Sequence, residues 1–186
     1  MGTRSDIIVH RADGKWARIY CHWDGYLSHN GRLLFDHYTS QAQAEALVAL
    51  GDLSSLGSVI GVKHPFDRPS ISNKKAHAAF AKKFGGMCVA YGRDRGETEC
   101  EARIGDTLQE VWPEEDTWTE FTYVWDEGKW WAGDPDEGTQ TLADLGDLLQ
   151  GKKTLKPKVK AFGMILGQHA AHDPKQPDDH TWHGKA

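Results

Sequence analysis

The chain has 186 residues, of which 26% are charged, and its formal net charge is −5. This length suits one domain with a substantial core. The lack of 18 consecutive apolar residues and of an apolar N-terminal run argues against a membrane span and a secretory signal. An odd number of cysteines, three, favours a reducing cytosol over a disulfide scaffold.

The first predicted element is a β-hairpin. Residues 5–11 (SDIIVHR) and 16–23 (WARIYCHW) flank the tetrapeptide ADGK, and its Asp-Gly pair is typical of a two-residue hairpin turn. In the register that this turn sets, Ile8 lies opposite Ile19. Both strands are apolar on both faces to some degree, so we expect both faces of the hairpin to be covered.

Short helices are predicted next. Residues 31–38 (GRLLFDHY) place their apolar side chains on overlapping faces. Ser40 begins a capping box for a helix that ends at Gly51. A loop then leads to a small helix over 74–84, which two glycines stop. We therefore treat residues 62–86 as an inserted loop and helix.

A second hairpin is predicted over residues 87–104. Centring its loop on Asp94 sets Cys88 opposite Cys100. The two thiols would cross-link if oxidised, but in a reducing cytosol we expect both cysteines to be small core residues. A short helix is predicted over 107–111.

A third hairpin is predicted over residues 119–133. It turns at Gly128 and sets Trp125 opposite Trp130, and aromatic cross-strand pairs of this kind stabilise a two-stranded ribbon. Residues 141–150 (TLADLGDLLQ) carry one leucine stripe and form the last predicted helix.

The order of hairpin followed by helix thus recurs three times. It predicts an α+β domain over residues 1–150, with an antiparallel sheet of about six strands from three hairpins and with helices on one face. Residues 151–186 form a C-terminal extension that is basic at first and then rich in histidine.

The stretch YCHWDGYLSHNG, residues 20–31, combines several reactive side chains. Its Asp-Gly pair ends the strand and releases the following residues into a loop above the sheet end. His22, Asp24 and His29 are catalytic candidates, because imidazoles and a carboxylate can orient a proton transfer or bind a metal. In the competing interpretation, Asp24 caps the turn and the histidines form only local hydrogen bonds.

A second candidate stretch is YGRDRGE, in which two arginines flank Asp94. A loop with this basic tip suits phosphate or carboxylate, whereas an exposed turn with a local Arg–Asp pair would contribute little. We predict an anion site that both stretches line. Its candidate ligand-binding residues are Arg4, His22, Trp23, Tyr26, Arg93 and Arg95.

The C-terminal extension contains HAAH and HTWH, whose candidate metal ligands are His169, His172, His180 and His183. Four imidazoles can enclose a zinc ion, although all-histidine structural sites are unusual. No other cofactor follows from the sequence. The phosphate-binding loop, the dinucleotide-binding glycine motif, the zinc-protease motif and the serine-hydrolase elbow are all absent, which weakens the case for an enzyme.

Charge is distributed unevenly along the chain. Residues 97–147 contain 16 acidic and 2 basic residues, whereas residues 1–96 contain 8 acidic and 13 basic ones. An acidic surface with exposed aromatics suits a basic nucleic-acid groove, because carboxylates can occupy phosphate positions. The candidate partner-binding residues are Trp112, Glu114, Glu115, Asp116, Trp118, Asp126, Glu127, Trp130, Asp134, Asp136 and Glu137. A solvated acidic face is the competing interpretation, and the same block argues against direct binding of DNA or RNA.

Five segments, TRS, YCHWDGY, HNGRLLFDHY, ALGDLSSLG and YGRDRGE, resemble a family of proteins from tailed bacteriophages and prophages. The resemblance covers roughly residues 2–61, the second predicted hairpin and, more loosely, the third. It implies a viral origin and a place in the host cytoplasm, and it brings no established activity to carry over. Small accessory phage proteins often act by binding, either to host defence complexes or to defence signals.

Two hypotheses of function follow. In the first, which the acidic segment and the resemblance favour, the protein inhibits a host protein or ribonucleoprotein defence complex, such as a CRISPR complex, through the acidic surface. This hypothesis requires at least two of the tryptophans in the acidic segment to be exposed. In the second, the protein is a small-ligand module that sequesters or hydrolyses a nucleotide-type, phosphate-bearing signal at the predicted anion site.

Overall fold

The computed structural model describes residues 2–113 and 118–155. Its strands in these residues are β1 Arg4–His10, β2 Trp16–Cys21, β3 Leu53–Ser55, β4 Val89–Ala90, β5 Arg103–Gly105, β6 Thr119–Asp126, β7 Lys129–Gly133 and β8 Ala143–Asp144. Its helices are α1 Arg32–His37, α2 Gln41–Val48, α3 Lys74–Phe84, α4 Leu108–Val111 and α5 Leu145–Leu149. The strands form one sheet in the order β4-β3-β2-β1-β6-β7-β8, with β5 also beside β2.

The protein is a mixed α+β domain, but its sheet is not the antiparallel, six-stranded one that we predicted. β1 is antiparallel to β2 and parallel to β6, and β2 is parallel to β3. A parallel pair needs a long crossover connection. For β1 and β6 this connection is residues 11–118, which include β2. Hairpin signals are local and indicate antiparallel neighbours only, so they could not reveal the central β1–β6 pair.

The first hairpin forms, with its register shifted by one residue from the predicted one. Ile19 lies opposite Ile7 rather than Ile8, because residues 12–14 form a three-residue loop closed by a backbone hydrogen bond at its base. Gly14 takes the left-handed position of this loop, at φ 82°, which is a common alternative to the two-residue turn. The shift changes which side chains share a face of the sheet.

The second hairpin was predicted wrongly. β4 pairs with β3 and β5 pairs with β2, while Tyr91–Arg95 forms a π-helical turn. Cys88 and Cys100 therefore do not face each other, and both are free and buried. The cause is the side chain of Asp94, which gathers backbone N–H groups into a compact turn and so competes with strand pairing.

The third hairpin and its helix are confirmed. Trp125 lies opposite Trp130 across β6 and β7, with ring centroids 5.3 Å apart. The last helix, α5, begins at Leu145 rather than at residue 141. The carboxylate of Asp144 caps it by accepting hydrogen bonds from the backbone N–H groups of Gly146 and the next residue.

The two faces of the sheet are covered differently. On one face, α1, α2 and α5 contribute Leu34, Leu47 and Leu145 to a core over the odd-numbered residues of the first hairpin. On the other face, α4 and Trp112 cover Ile8 and its neighbours in a smaller core. The polar residues at the N-terminal end of β1 and the C-terminal end of β2 belong to neither core, so a cleft opens there.

Candidate functional site

Polar side chains occupy alternate positions at one end of the first hairpin. Arg4 and Asp6 lie on β1, Arg18 and Tyr20 lie on β2, and His22 follows β2 directly. Asp6 pairs with Tyr20 in the observed register. Because residues two apart share a face of a strand, all five side chains lie on the side of the sheet opposite the main helical core.

These side chains line an open cleft of about 510 Å³. The residues that line it are Arg4, Asp6, Arg18, Tyr20, His22, Asp52, Arg103, Trp118 and Thr119. Its volume is in the range typical of small-molecule sites, and its polar groups converge from several elements. It is the strongest candidate site in the part of the chain that the structure describes.

Asp6 forms the floor of the cleft. Only 4% of this residue is exposed. Burial raises the pKa of its carboxyl to about 6, although the charge of Arg18 and a hydrogen bond from Thr119 partly offset this effect. Among the described residues, its Oδ2 atom has no hydrogen-bond partner. Such buried polar atoms are costly and rare in native proteins, so this oxygen is a natural contact point for a ligand.

Two neighbours of Asp6 also have a buried polar atom that lacks a hydrogen-bond partner among the described residues. Within the described residues, Nε of Arg18 and the hydroxyl of Thr122 also have no hydrogen-bond partner. Thr122 pairs with Asp6 across β1 and β6, and Arg18 faces the same carboxylate from β2. Three buried polar atoms with unmet hydrogen-bonding capacity are thus grouped on adjacent strands.

Arg4, Tyr20 and His22 form a hydrogen-bonded chain along the wall of the cleft. Nε of Arg4 donates to Oη of Tyr20 at 3.1 Å, and this Oη lies 2.9 Å from Nδ1 of His22. The tautomer of His22 determines whether Oη or Nδ1 donates in the second of these hydrogen bonds. Burial raises the pKa of Tyr20 to about 12, with Arg4 opposing the shift, so the phenol stays protonated.

Asp52 anchors Arg103 at the edge of the cleft. Oδ1 of Asp52 accepts hydrogen bonds from the backbone N–H of Tyr20 at 2.7 Å and from Nη1 of Arg103 at 3.2 Å. Trp118 is exposed and lines the same cleft. An anchored guanidinium has less side-chain entropy to lose when it receives an anion.

The structure places the residues predicted for the anion site in different surroundings. Arg4 and His22 line the cleft just described, and His22, Trp23 and Arg95 line a second cleft of about 400 Å³. The two clefts meet at His22. Tyr26 lines neither of them and is exposed elsewhere on the surface.

Arg93, another predicted anion ligand, is engaged inside the fold. Its Nε and Nη2 atoms donate to the carboxylate of Asp94 at 2.8 Å each, and Nη1 donates to the carbonyl of Ile60. Asp94 also accepts from the backbone N–H groups of His64 and Ala90. Burial opposes ionisation of Asp94, but these hydrogen bonds outweigh it and hold its pKa below the ordinary value. The YGRDRGE segment therefore ties neighbouring loops together.

The three catalytic candidates have separate surroundings. Nδ1 of His22 faces Tyr20, whereas Nδ1 of His29 lies 3.0 Å from Oδ1 of Asn30. Asp24 holds the turn at a positive φ of 58°, and its carbonyl accepts a hydrogen bond from the backbone N–H of Asn30. The YCHWDGYLSHNG stretch thus builds a strand-to-helix corner, from which His22 enters the arginine-lined cleft.

The acidic segment contributes more to the fold than its composition suggested. The indole N–H groups of Trp112 and Trp130 donate to backbone carbonyls inside the protein. Among the candidate partner-binding residues, Trp112, Trp130 and Asp134 are buried, Asp126 and Asp136 are half-buried, Trp118, Glu127 and Glu137 are exposed, and Glu114, Glu115 and Asp116 lie outside the described residues. Of the other tryptophans in the segment, Trp125 is buried and Trp131 is half-buried. One of the five tryptophans is thus exposed, so the requirement for at least two exposed tryptophans is not met.

The candidate zinc ligands in the C-terminal extension, His169, His172, His180 and His183, lie outside the described residues. Within residues 2–113 and 118–155, no group of three or more histidine, cysteine or acidic side chains is placed to hold a metal ion. Among the helices of the same residues, none combines the length and the apolar character needed to cross a membrane.

The sequence reasoning missed Asp6, Arg18, Tyr20, Asp52 and Arg103. A usable signal existed for the first three, because polar residues recur at every second position at one end of two otherwise apolar strands. Asp52 and Arg103 come from distant parts of the chain, and no local pattern points to them.

Fold and site together define a mixed α+β domain with an arginine-lined cleft at the end of its central hairpin. Comparison of the chain with protein-family models, with curated proteins and with solved structures finds no match. The resemblance to phage proteins stays a prediction, and the chemistry of the cleft is the basis for a proposed function.

Proposed function

We propose that the protein binds a small phosphate-bearing ligand in the cleft over β1 and β2. The observation that supports this proposal best is the convergence of Arg4, Arg18 and Arg103 on a cleft whose floor is the buried carboxyl of Asp6. Guanidinium groups bind phosphate through paired, charge-assisted hydrogen bonds. This is the ligand-binding form of the second hypothesis drawn from the sequence.

The balance of charge in the cleft supports an anionic ligand. Asp52 neutralises Arg103, and Asp6 is the counter-charge of Arg18 when it is ionised. Arg4 donates to a phenol, and among the described residues no carboxylate forms an ion pair with it. Within residues 2–113 and 118–155, the guanidinium of Arg4 is therefore a positive charge of the cleft without a carboxylate partner, and such a charge attracts an anion.

The protonation state of Asp6 sets the charge at the floor of the cleft. Its pKa of about 6 keeps a large fraction of the carboxyl protonated in mildly acidic solution. The protonated acid can donate a hydrogen bond to a phosphate oxygen, whereas the ionised form repels that oxygen. Phosphate binding therefore favours the protonated form of Asp6.

The proposal is tested by calorimetric titration with ribose 5-phosphate and with inorganic phosphate at pH 5.5. Arg4→Ala and Arg103→Ala each remove one charged donor, so we expect each to weaken binding roughly tenfold or more. Arg32→Ala is the matched control, because Arg32 is exposed on α1 and pairs there with Asp36. We expect it to leave the affinity unchanged.

Two results would overturn the proposal. One is the absence of binding of either phosphate compound to the wild-type protein. The other is an equal loss of affinity in all three arginine variants, which would mean that only the overall charge of the protein matters. Thermal unfolding of each variant checks that the fold is intact.

Inhibition of a defence complex is the second candidate function, and Trp118 is the observation that favours it. Trp118 is 58% exposed, and the acidic residues 114–116 precede it in the sequence. Native mass spectrometry of the protein purified from infected cells tests this function. A stoichiometric host protein that is lost with Trp118→Ala, but retained with Phe35→Ala at another exposed aromatic residue, would support it.

A further inference from the structure

We infer that the two clefts that meet at His22 form one site for a nucleoside phosphate, with the base in the second cleft. The inference rests on the proposed function and assigns a second half to the same site. The second cleft holds about 400 Å³ and is lined by His22, Trp23, Ser54, Phe66, Tyr91, Arg95 and Glu97. Four of these seven residues have aromatic rings.

Two aromatic rings of the second cleft, those of Phe66 and Tyr91, pack against each other at a tilt. The ring centroids of Phe66 and Tyr91 are 5.6 Å apart with an interplanar angle of 31°. The guanidinium of Arg95 lies 4.9 Å from the centroid of Phe66. Neither aromatic residue is fully buried. Flat, partly open aromatic and guanidinium surfaces of this kind bind bases by stacking, with little dependence on base identity.

Polar groups at the same place suit the edge of a base. Nη1 of Arg95 pairs with Oε1 of Glu97 at 3.0 Å, and Ser54 also lines the cleft. A carboxylate accepts hydrogen bonds from the amino groups of bases, and a guanidinium donates to their ring nitrogens and carbonyls. An aromatic ring with polar groups at its edge therefore matches this cleft better than a purely apolar ring.

A single residue, His22, joins the two clefts. Tyr20 lines the first cleft. His22, two residues later in the chain, lines both clefts. His22 thus lies where the sugar would pass.

The network around Asp94 positions the base side of the site. Asp94 accepts a hydrogen bond from the backbone N–H of His64, two residues before Phe66. It also accepts one from the N–H of Ala90, which precedes Tyr91. One buried carboxylate therefore fixes both loops that carry Phe66 and Tyr91. This gives the YGRDRGE segment a role in shaping the cleft.

The test compares four ligands or ligand classes by calorimetric titration at pH 5.5: the ribonucleoside 5′-monophosphates, ribose 5-phosphate, inorganic phosphate and adenosine. We expect at least one nucleotide to bind roughly tenfold or more tightly than ribose 5-phosphate, the scale of base stacking on aromatic groups. Phe66→Leu should abolish this gain and leave the affinity for ribose 5-phosphate unchanged. Phe80→Leu is the matched control, since Phe80 lies on the inserted helix α3 and lines neither cleft.

The outcomes separate the inference from the proposed function. If every nucleotide binds only as well as ribose 5-phosphate, or if Phe66→Leu keeps the gain, the base subsite is wrong and the phosphate site stands. If adenosine binds as well as its monophosphate, the phosphate site is wrong. If none of the four binds, both are wrong.

Discussion

Asp6 and Arg18 face each other across β1 and β2 without forming a hydrogen bond. Nε of Arg18 is 3.8 Å from Oδ1 of Asp6, although the two side chains are only 6% and 14% exposed. A buried pair stabilises a fold when its geometry is close and its remaining hydrogen-bonding capacity is met. This pair satisfies neither condition within the described residues, so its charges are available to a ligand.

Asp6 should make the protein less stable as the pH rises. Its folded-state pKa is about 6, against 3.8 in the absence of burial. Between these values the folded state holds the proton and the unfolded state releases it, so the free energy of unfolding falls as pH rises from about 4 to about 6. The loss is about 3 kcal/mol at most. Urea denaturation of the wild type and Asp6→Asn at pH 4 and pH 7 measures it.

Asp6→Asn should lack this component of the pH dependence, because its amide does not ionise. Asp67→Asn, at an exposed position of the inserted loop, should show the same pH dependence as the wild type. An unchanged pH dependence in Asp6→Asn would show that burial does not shift this carboxyl.

Binding of ribose 5-phosphate should depend on pH through the same residue. Ionised Asp6 repels the phosphate, so Asp6→Asn should bind roughly tenfold more tightly than the wild type at pH 7.5 and about equally at pH 5. The ratio of the two affinities at each pH cancels the titration of the phosphate itself, whose second pKa is about 6. Isothermal titration at both pH values gives this ratio, and a constant ratio would contradict the prediction.

Asp94→Ala should destabilise the protein by about 3–5 kcal/mol, the usual cost of removing one partner of a buried ion pair. The change leaves the guanidinium of Arg93 and two backbone N–H groups without their acceptor. Arg95→Ala, two residues from Arg93 in the chain, removes an exposed ion pair with Glu97 and a cation–π contact with Phe66, and should cost less than about 2 kcal/mol. Equal losses in urea denaturation would refute the structural role of Asp94.

Gly25→Ala should cost about 1–3 kcal/mol, the range for overpacking a tight contact. A Cβ at Gly25 would lie 2.6 Å from the carbonyl carbon of Arg4 and 2.8 Å from its oxygen, so β1 would have to move beside the cleft. We therefore expect weaker phosphate binding as well. Gly92→Ala is the control, because its nearest contact is 3.7 Å from the added carbon. Similar thermal stability of the two variants would argue against the close approach at Gly25.

Local patterns predicted the elements whose contacts are local. The first and third hairpins and the cap of α2 at Ser40 all form, because turn residues and a capping side chain act within a few positions. The register of the first hairpin was wrong by one residue, since Asp13-Gly14 suits both two-residue and three-residue loops. That single shift decides that Asp6 and Tyr20 lie opposite each other.

By itself, the sequence determined that this is an α+β chain with an arginine and a histidine, Arg4 and His22, at a candidate anion site. Only the tertiary structure decided that Asp52 and Arg103 complete the cleft and that Arg93 is held by Asp94. The physical reason is distance along the chain. Periodicity and turn chemistry act between near neighbours, whereas parallel pairing, burial and the resulting pKa of Asp6 depend on segments far apart in sequence.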